Sequence, residues 1–341
     1  MSGSDSSAFG GAVAAWRRLL LLNKAVLFAL ALAVILSAAS PYFFTKANAL
    51  ILLEQGVVMT IVALGYTLIL AMGEIDLSLG GIIALTGYIM AELMARGGVP
   101  FELAIVIGVA VGATCGAINA TLISTFALPP FIVTLATGAL FTGVLYIVSN
   151  LVPISDLPDA FIAIGQARWG GIPVPVIILV PIIGVFYLLA KQSVFGQHII
   201  AQGGNPEAVR VAGISIATLR LKVYTIAGAG YGIGAVLLTA RSASAQIAAG
   251  SDLLLIVITA VVIGGTPLLG GKADVIGTVF GCLIISMINN GLNLLGMNAN
   301  YQIIVQGSLI LFALLVDVQS AQILIGLDRR RLQRLRQEGR L

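Results

Sequence analysis

The chain has 341 residues, of which 59% are apolar and only 9% charged, and 18 Lys and Arg against 14 Asp and Glu leave a net charge of +4. Soluble domains carry about 25% charged residues, so a soluble enzyme, a disordered chain and a nucleic-acid binder are excluded. The basic balance reads instead as the inner loops of a membrane protein, and one histidine with two isolated cysteines, Cys115 and Cys282, cannot build a zinc site.

A membrane helix needs about 20 mostly apolar residues, and ten candidates follow along the chain. The first runs from Leu19 to Ser40. Basic residues precede it, and Ser37 and Ala39 resemble a cleavage site. Pro41 follows closely and everything beyond is membrane-embedded, so this run reads as a span rather than a signal peptide. The second is Leu50 to Met72 and the third Leu79 to Ala95. Between them lies Gly73-Glu74-Ile75-Asp76-Leu77-Ser78. Carboxylates at a buried junction are costly unless solvated or paired. Asp76 or Ser78 can cap the next helix, and the segment can also form a polar elbow beside a transport route; the two roles are compatible.

The fourth helix is Phe101 to Phe126, the fifth Phe131 to Ser149 and the sixth Val174 to Ala190. The longest inner loop follows, Lys191 to Arg220. In it Asn205 is an N-cap, Pro206 suits the first helical position, Glu207 complements the helix dipole and Gly213 stops the helix. So short a helix is marginal alone in water, which points to a cytoplasmic protein partner holding it. The seventh helix is Leu221 to Ala240 and the eighth Leu253 to Gly264. The third and eighth are short enough to be broken or partly buried. Gly264 to Lys272 resembles a phosphate loop, but Thr266 stands where its first glycine belongs and Ala273 where the metal-binding hydroxyl belongs. It reads as a glycine-rich inner turn. The ninth helix is Val275 to Leu295 and the tenth Ile303 to Val318.

Placing the N-terminus inside puts 14 basic residues on the inner side and four (Lys46, Arg96, Arg168, Arg241) outside, so both termini are expected in the cytoplasm. Helices two to five and seven to ten then run in opposite senses, the layout of an inverted repeat. No linker divides the chain. Residues 1–15 read as a flexible leader, 16–326 as one transmembrane domain with its cytoplasmic loop at 192–219, and 327–341 as a basic tail anchoring to anionic lipid. Gly108, Gly112 and Gly116, like Gly228 with Gly232, are spaced as close-packing faces. Uncharged polar residues lie inside spans: Asn119, Thr134, Thr137, Asn289, Asn290 and Asn293. They can bond neighbouring helices or a neutral, hydroxyl-rich solute.

Five stretches together carry a resemblance: GEIDLSLGG from Gly73, PPFIVTLAT from Pro129, GGNPEAVRVAGI from Gly203, VVIGGTPLLGGKADVIGTVFG from Val261 and NNGLNLLG from Asn289. The chain resembles the permease subunits of bacterial ABC importers, in the ribose-type branch for monosaccharides, polyols and autoinducer-2. Two positions depart from that family's pattern: Glu74, where it usually has a small or uncharged residue, and Pro206, where many relatives have an acid. The resemblance implies an all-α permease of the plasma membrane that imports a neutral sugar or polyol. Its implied partners are a cytoplasmic ATPase, a periplasmic or lipid-anchored solute-binding protein, a second permease chain and membrane lipid. ATP and Mg belong to the ATPase, and no cofactor is expected on this chain. Asn205, Pro206, Glu207, Ala208, Arg210 and Gly213 match the family's coupling helix. Asp76, Ser78, Asn119, Thr134, Asn289, Asn290 and Asn293 are the pathway candidates. The rival reading, an ion-coupled carrier, needs an ionisable group at membrane depth, whereas the acids here sit near helix ends. An embedded enzyme needs clustered catalytic groups, and His198 stands alone in a loop.

Overall fold

The structure is a computed structural model that describes residues 24–298 together with 300, 301, 303–305, 307, 308, 311 and 315. The expected leader, the start of the first helix, most of the tenth and the arginine tail lie outside the described residues. Two units separate at Met297. In the second, helical residues follow Asn298, whose carbonyl accepts from the Tyr301 amide.

Among its described residues the first unit is mainly helical, with one two-stranded hairpin, β1 (Arg168–Trp169) with β2 (Ile172–Pro173), and an isolated bridge between Ile154 and Ala245. Its helices are α1 (Lys24–Ala39), α2 (Lys46–Ala71), α3 (Leu79–Ala95), α4 (Phe101–Phe126), α5 (Pro130–Ser149) and α6 (Asp159–Gln166). After the hairpin come α7 (Val174–Tyr187), α8 (Val194–Gly204), α9 (Pro206–Val211), α10 (Ile216–Ser242), α11 (Leu253–Ile263) and α12 (Val275–Leu294). Among the described residues six helices are long and apolar enough to cross a bilayer: α2, α4, α5, α7 with its π-turn to Gln192, α10 and α12. α3 has 17 residues and α11 has 11, so the two runs expected to be short are short.

The structure moves several boundaries. α2 begins at Lys46 because the Thr45 hydroxyl accepts from the Asn48 amide. α10 begins at Ile216, where Ser215 caps it, so Arg220, expected as the last residue of the loop, rides on the helix. The inner loop holds a further helix, α8, capped by Ser193 on the Gly196 amide. Its glycines and polar residues hide it from a search for apolar runs. α6 and the hairpin occupy 159–173, where no element was expected.

α10 is the axis of the unit. It packs on α2, α3, α4 and α6. Its contact with α4 is backbone to backbone: a Cβ on Gly116 would overlap the Tyr224 carbonyl, and one on Gly228 the Gly112 carbonyl. Small residues let membrane helices approach closely enough for dispersion and interhelical bonding to hold them. α12 packs on α2 through polar pairs. The Thr67 and Thr278 hydroxyls are 2.8 Å apart, and Asn48 and Asn290 exchange amide hydrogen bonds of 2.9 and 2.8 Å.

Candidate functional site

α2 ends in a turn at Gly73, whose φ of +80° lies in the left-handed region that favours glycine. Residues 74–78 then cross to α3 without helix. Such backbone survives at depth only when buried and hydrogen-bonded, and here a polar network holds it. Asp76 Oδ1 accepts from the Ser78 amide at 2.8 Å and from the Ser78 hydroxyl at 2.5 Å. Asn119 on α4 donates to Ser78 Oγ at 2.7 Å, and Thr137 on α5 donates to Asn119 Oδ1 at 2.6 Å. Thr134 Oγ accepts from the Leu77 amide at 3.0 Å. Asp76, Ser78, Asn119 and Thr134 are each 0% exposed. Four of the expected pathway residues therefore meet, and Thr137 joins them. Of the two expected caps, Asp76 accepts the amide while Ser78 makes no side-chain cap bond. Asp76 is at a helix end, as its position suggested, but that end is buried. Asp76 Oδ2 and the buried Tyr66 and Tyr231 hydroxyls have no hydrogen-bond partner among the described residues.

The α12 candidates lie elsewhere. Asn290 is spent on Asn48, Asn289 is half-buried, and Asn293 is exposed. Asn48 escaped the sequence reading because it precedes the apolar run.

Glu74 is almost buried and faces Arg220 of α10 in a forked pair: Nη2–Oε1 at 2.6 Å, with Nε 2.8 Å from Oε1 and 3.1 Å from Oε2. Arg220 Nη1 also donates to Ser124 Oγ of α4 at 2.9 Å. The sequence reading treated the two charges separately, since 146 positions part them.

α9 is built as its sequence suggests. Asn205 Oδ1 accepts from the Ala208 amide at 3.0 Å, Pro206 is at the first turn, and Glu207 pairs with Arg210 at 2.7 Å. Both partners are exposed, so that pair contributes little stability. Gly213, with φ of +76°, ends the helix; its amide bonds Arg210 O and that of Ile214 bonds Val209 O. This is the double-bonded glycine stop that satisfies free carbonyls. Of the helix only Val209 is buried, and Val211 is 79% exposed.

Two glycine turns, at Gly73 and at Gly270–Gly271, meet the end of α8 at Gly203. The Gly271 amide donates to Ala71 O at 2.9 Å. A Cβ on Gly203 would overlap Ala71 O and the Gly271 amide, and one on Gly270 would sit 2.6 Å from the Gly73 amide. The phosphate-loop look-alike is thus a packing turn. Its Lys272 pairs with Asp274 at 3.0 Å, and Thr266 Oγ accepts from the Asp274 amide. Beside the elbow an open cleft of about 400 Å³ is lined by Leu77, Gly81, Gly138, Thr142 and Tyr146, among others. Among the described residues no cluster of metal-ligating side chains occurs.

Residues 48–314 match the family described as the branched-chain amino acid transport system / permease component. The ribose import permease protein of Bacillus subtilis (strain 168) is 39% identical over 288 residues, 84% of this chain and 89% of that one. The D-allose transport system permease protein of Escherichia coli (strain K12) is 36% identical over 291 residues, 85% of this chain and 89% of that one. The fructose import permease protein of Rhizobium meliloti is 33% identical over 283 residues, 81% and 79% of the two chains. No solved structure matches.

Proposed function

The chain belongs to this permease family, and from that premise we propose that it is the multi-pass membrane subunit of an ATP-driven importer of a neutral sugar or polyol. The observation that carries the reading is near-full-length similarity to importers of three different sugars. The free energy comes from a separate ATPase, and the chain itself is no enzyme. An ATPase and a solute-binding protein are its general partners. We further place it in a bacterial plasma membrane as one of two permease chains. At the elbow the Arg220 guanidinium is neutralised by Glu74, while amides and hydroxyls gather around Asp76 and Ser78; this suits a neutral cargo better than an anion. Uptake driven by the cognate binding protein tests it with a radiolabelled panel of neutral sugars, sugar phosphates and amino acids. A neutral sugar or polyol is expected as the main cargo, and a phosphorylated or zwitterionic one would overturn the reading.

The contact pattern supports an inverted repeat. α4, third of the first four helices, packs on α10, and α12, third of the second four, packs on α2. The second helix of each four, α3 and α11, is short and follows an irregular stretch, and the two starts touch: a Cβ on Gly80 would sit 2.8 Å from Gly250 O. With the N-terminus inside, the end of α2 and α9 lie toward the cytoplasm and α6 with the hairpin faces outward, while the touching starts of α3 and α11 lie between the two faces. Cysteines placed at Ala160 and at Gln197, both exposed, check this. Ala160→Cys should react with an impermeant maleimide from outside, and Gln197→Cys only after permeabilisation. Equal outside labelling of both would refute the topology.

Exposure of Val211 beside a well-capped, thinly buried α9 supports its role as the ATPase-docking helix. Gly213→Val puts a branched residue in a left-handed conformation, at a cost of about 1–3 kcal/mol. Combined with Glu207→Arg it should leave the protein in the membrane while solute-stimulated ATP hydrolysis and uptake collapse. Normal uptake in the double variant would end the docking role. Asp76, as a buried carboxyl, is the one observation on the side of an ion-coupled carrier. Uptake by proteoliposomes that needs ATP inside and no ion gradient separates the two.

A further inference from the structure

We propose that the Glu74–Arg220 pair is the link by which α9 moves the elbow, making these two side chains positioning residues for transport. The inference rests on the docking role assigned to α9. Arg220 lies in the second turn of α10, which starts directly after the Gly213 stop of α9. A displacement of α9 is therefore carried by the rigid start of α10 to the guanidinium. The guanidinium grips Glu74 through a fork, with side-chain exposures of 15% and 7%. A fork is directional as well as strong, so it can pull the elbow where a lone lysine would pivot. Glu74 is two residues from Asp76, which accepts from Ser78; Ser78 in turn accepts from Asn119, and Asn119 accepts from Thr137. Leu77, between them, lines the open cleft. Arg220 also holds Ser124 near the end of α4. The Gly73, Gly203 and Gly270 backbones are already in contact, so α8 and the 264–272 turn also pack on the start of the elbow. Coupling claims need an element that moves between two arrangements. The elbow is the candidate element, because between α2 and α3 it is held by side chains rather than by helical backbone.

The test uses the complex of permease, ATPase and binding protein in proteoliposomes, with a cysteine at Leu77 in an otherwise cysteine-free permease. The readout is its rate of reaction with a small maleimide, without nucleotide and after trapping with ATP and vanadate; no transported solute is needed. The Glu74→Gln/Arg220→Gln variant removes both charges, so neither is left buried and unpaired. With the pair intact, trapping should change the rate by about fivefold or more. In the double variant the change should fall below about twofold, while protein level and basal ATP hydrolysis match the parent. If the double variant is poorly produced, Arg220→Lys, which keeps the charge and loses the fork, should show the same loss. A full response in either well-produced variant, or no response in the parent, overturns the proposal. The Gly213→Val/Glu207→Arg variant run beside them separates the two ideas. If it alone loses the response, α9 docks the ATPase and the pair is not the link. If it keeps the response, the docking role itself has failed.

Discussion

Gly116→Val is expected to abolish accumulation of the folded protein. The added side chain would meet the Tyr224 carbonyl of α10, and Gly112, Gly228 and Gly232 continue the same contact. The obstructing atoms are backbone, so no rotamer change relieves the overlap and the helices must part. Overpacking a core costs about 1–3 kcal/mol where side chains can yield; here we expect about 4 kcal/mol or more, the range reached when a central contact is broken. Separation would also strip α10 from the packing that carries the unit. Membrane-extracted protein level, elution profile in detergent and melting midpoint measure the effect. Gly143→Val is the control, since nothing lies within 4 Å of its Cβ, and it should stay within about 0.5 kcal/mol of the parent. An equal loss in both would refute the packing account.

Asn119→Leu should be the next most damaging change. It removes the donor to Ser78 and the acceptor of Thr137 at one stroke. Each buried polar group left without its partner costs about 1–3 kcal/mol, so a loss of about 2–4 kcal/mol is expected. Transport should fall further than protein level, because this network sets the course of the elbow beside the cleft. Thr121→Val is the comparison. The Thr121 hydroxyl bonds only the Ala117 carbonyl of its own helix and faces outward, so its loss should be close to neutral. Uptake that stays in proportion to protein level in Asn119→Leu would show that the network stabilises without positioning.

The spans were legible because lipid demands long apolar runs, and Phe101 to Phe126 has the expected bounds; Leu79 to Ala95 reads as short or broken and has 17 residues. α9 was legible because capping is local: Asn205, Pro206 and Gly213 act within a few residues. What the sequence did not disclose depends on distance. Arg220 was read as loop because its charge outweighed its helical neighbours in a linear window, and only the fold sets it against Glu74. α8 was missed for its glycines, one of which, Gly203, is required by a backbone from another part of the chain. Asn119 and Thr134 were marked as polar residues in spans. Spacing alone could not say that they would bond the elbow while Asn293, chosen on the same grounds, faces outward.

The central position of α10 also dictates an order of events during synthesis. α2, α3 and α4 leave the ribosome long before the helix they enclose, with the Gly112 and Gly116 face unfilled. Lipid tails must occupy that seat until α10 arrives and displaces them. A nascent chain stopped before Ile216 can pair α3 with α4 and α5, but its glycine face on α4 waits for α10. The two halves, expressed as separate polypeptides, must meet in the same bilayer before the α4–α10 contact can form.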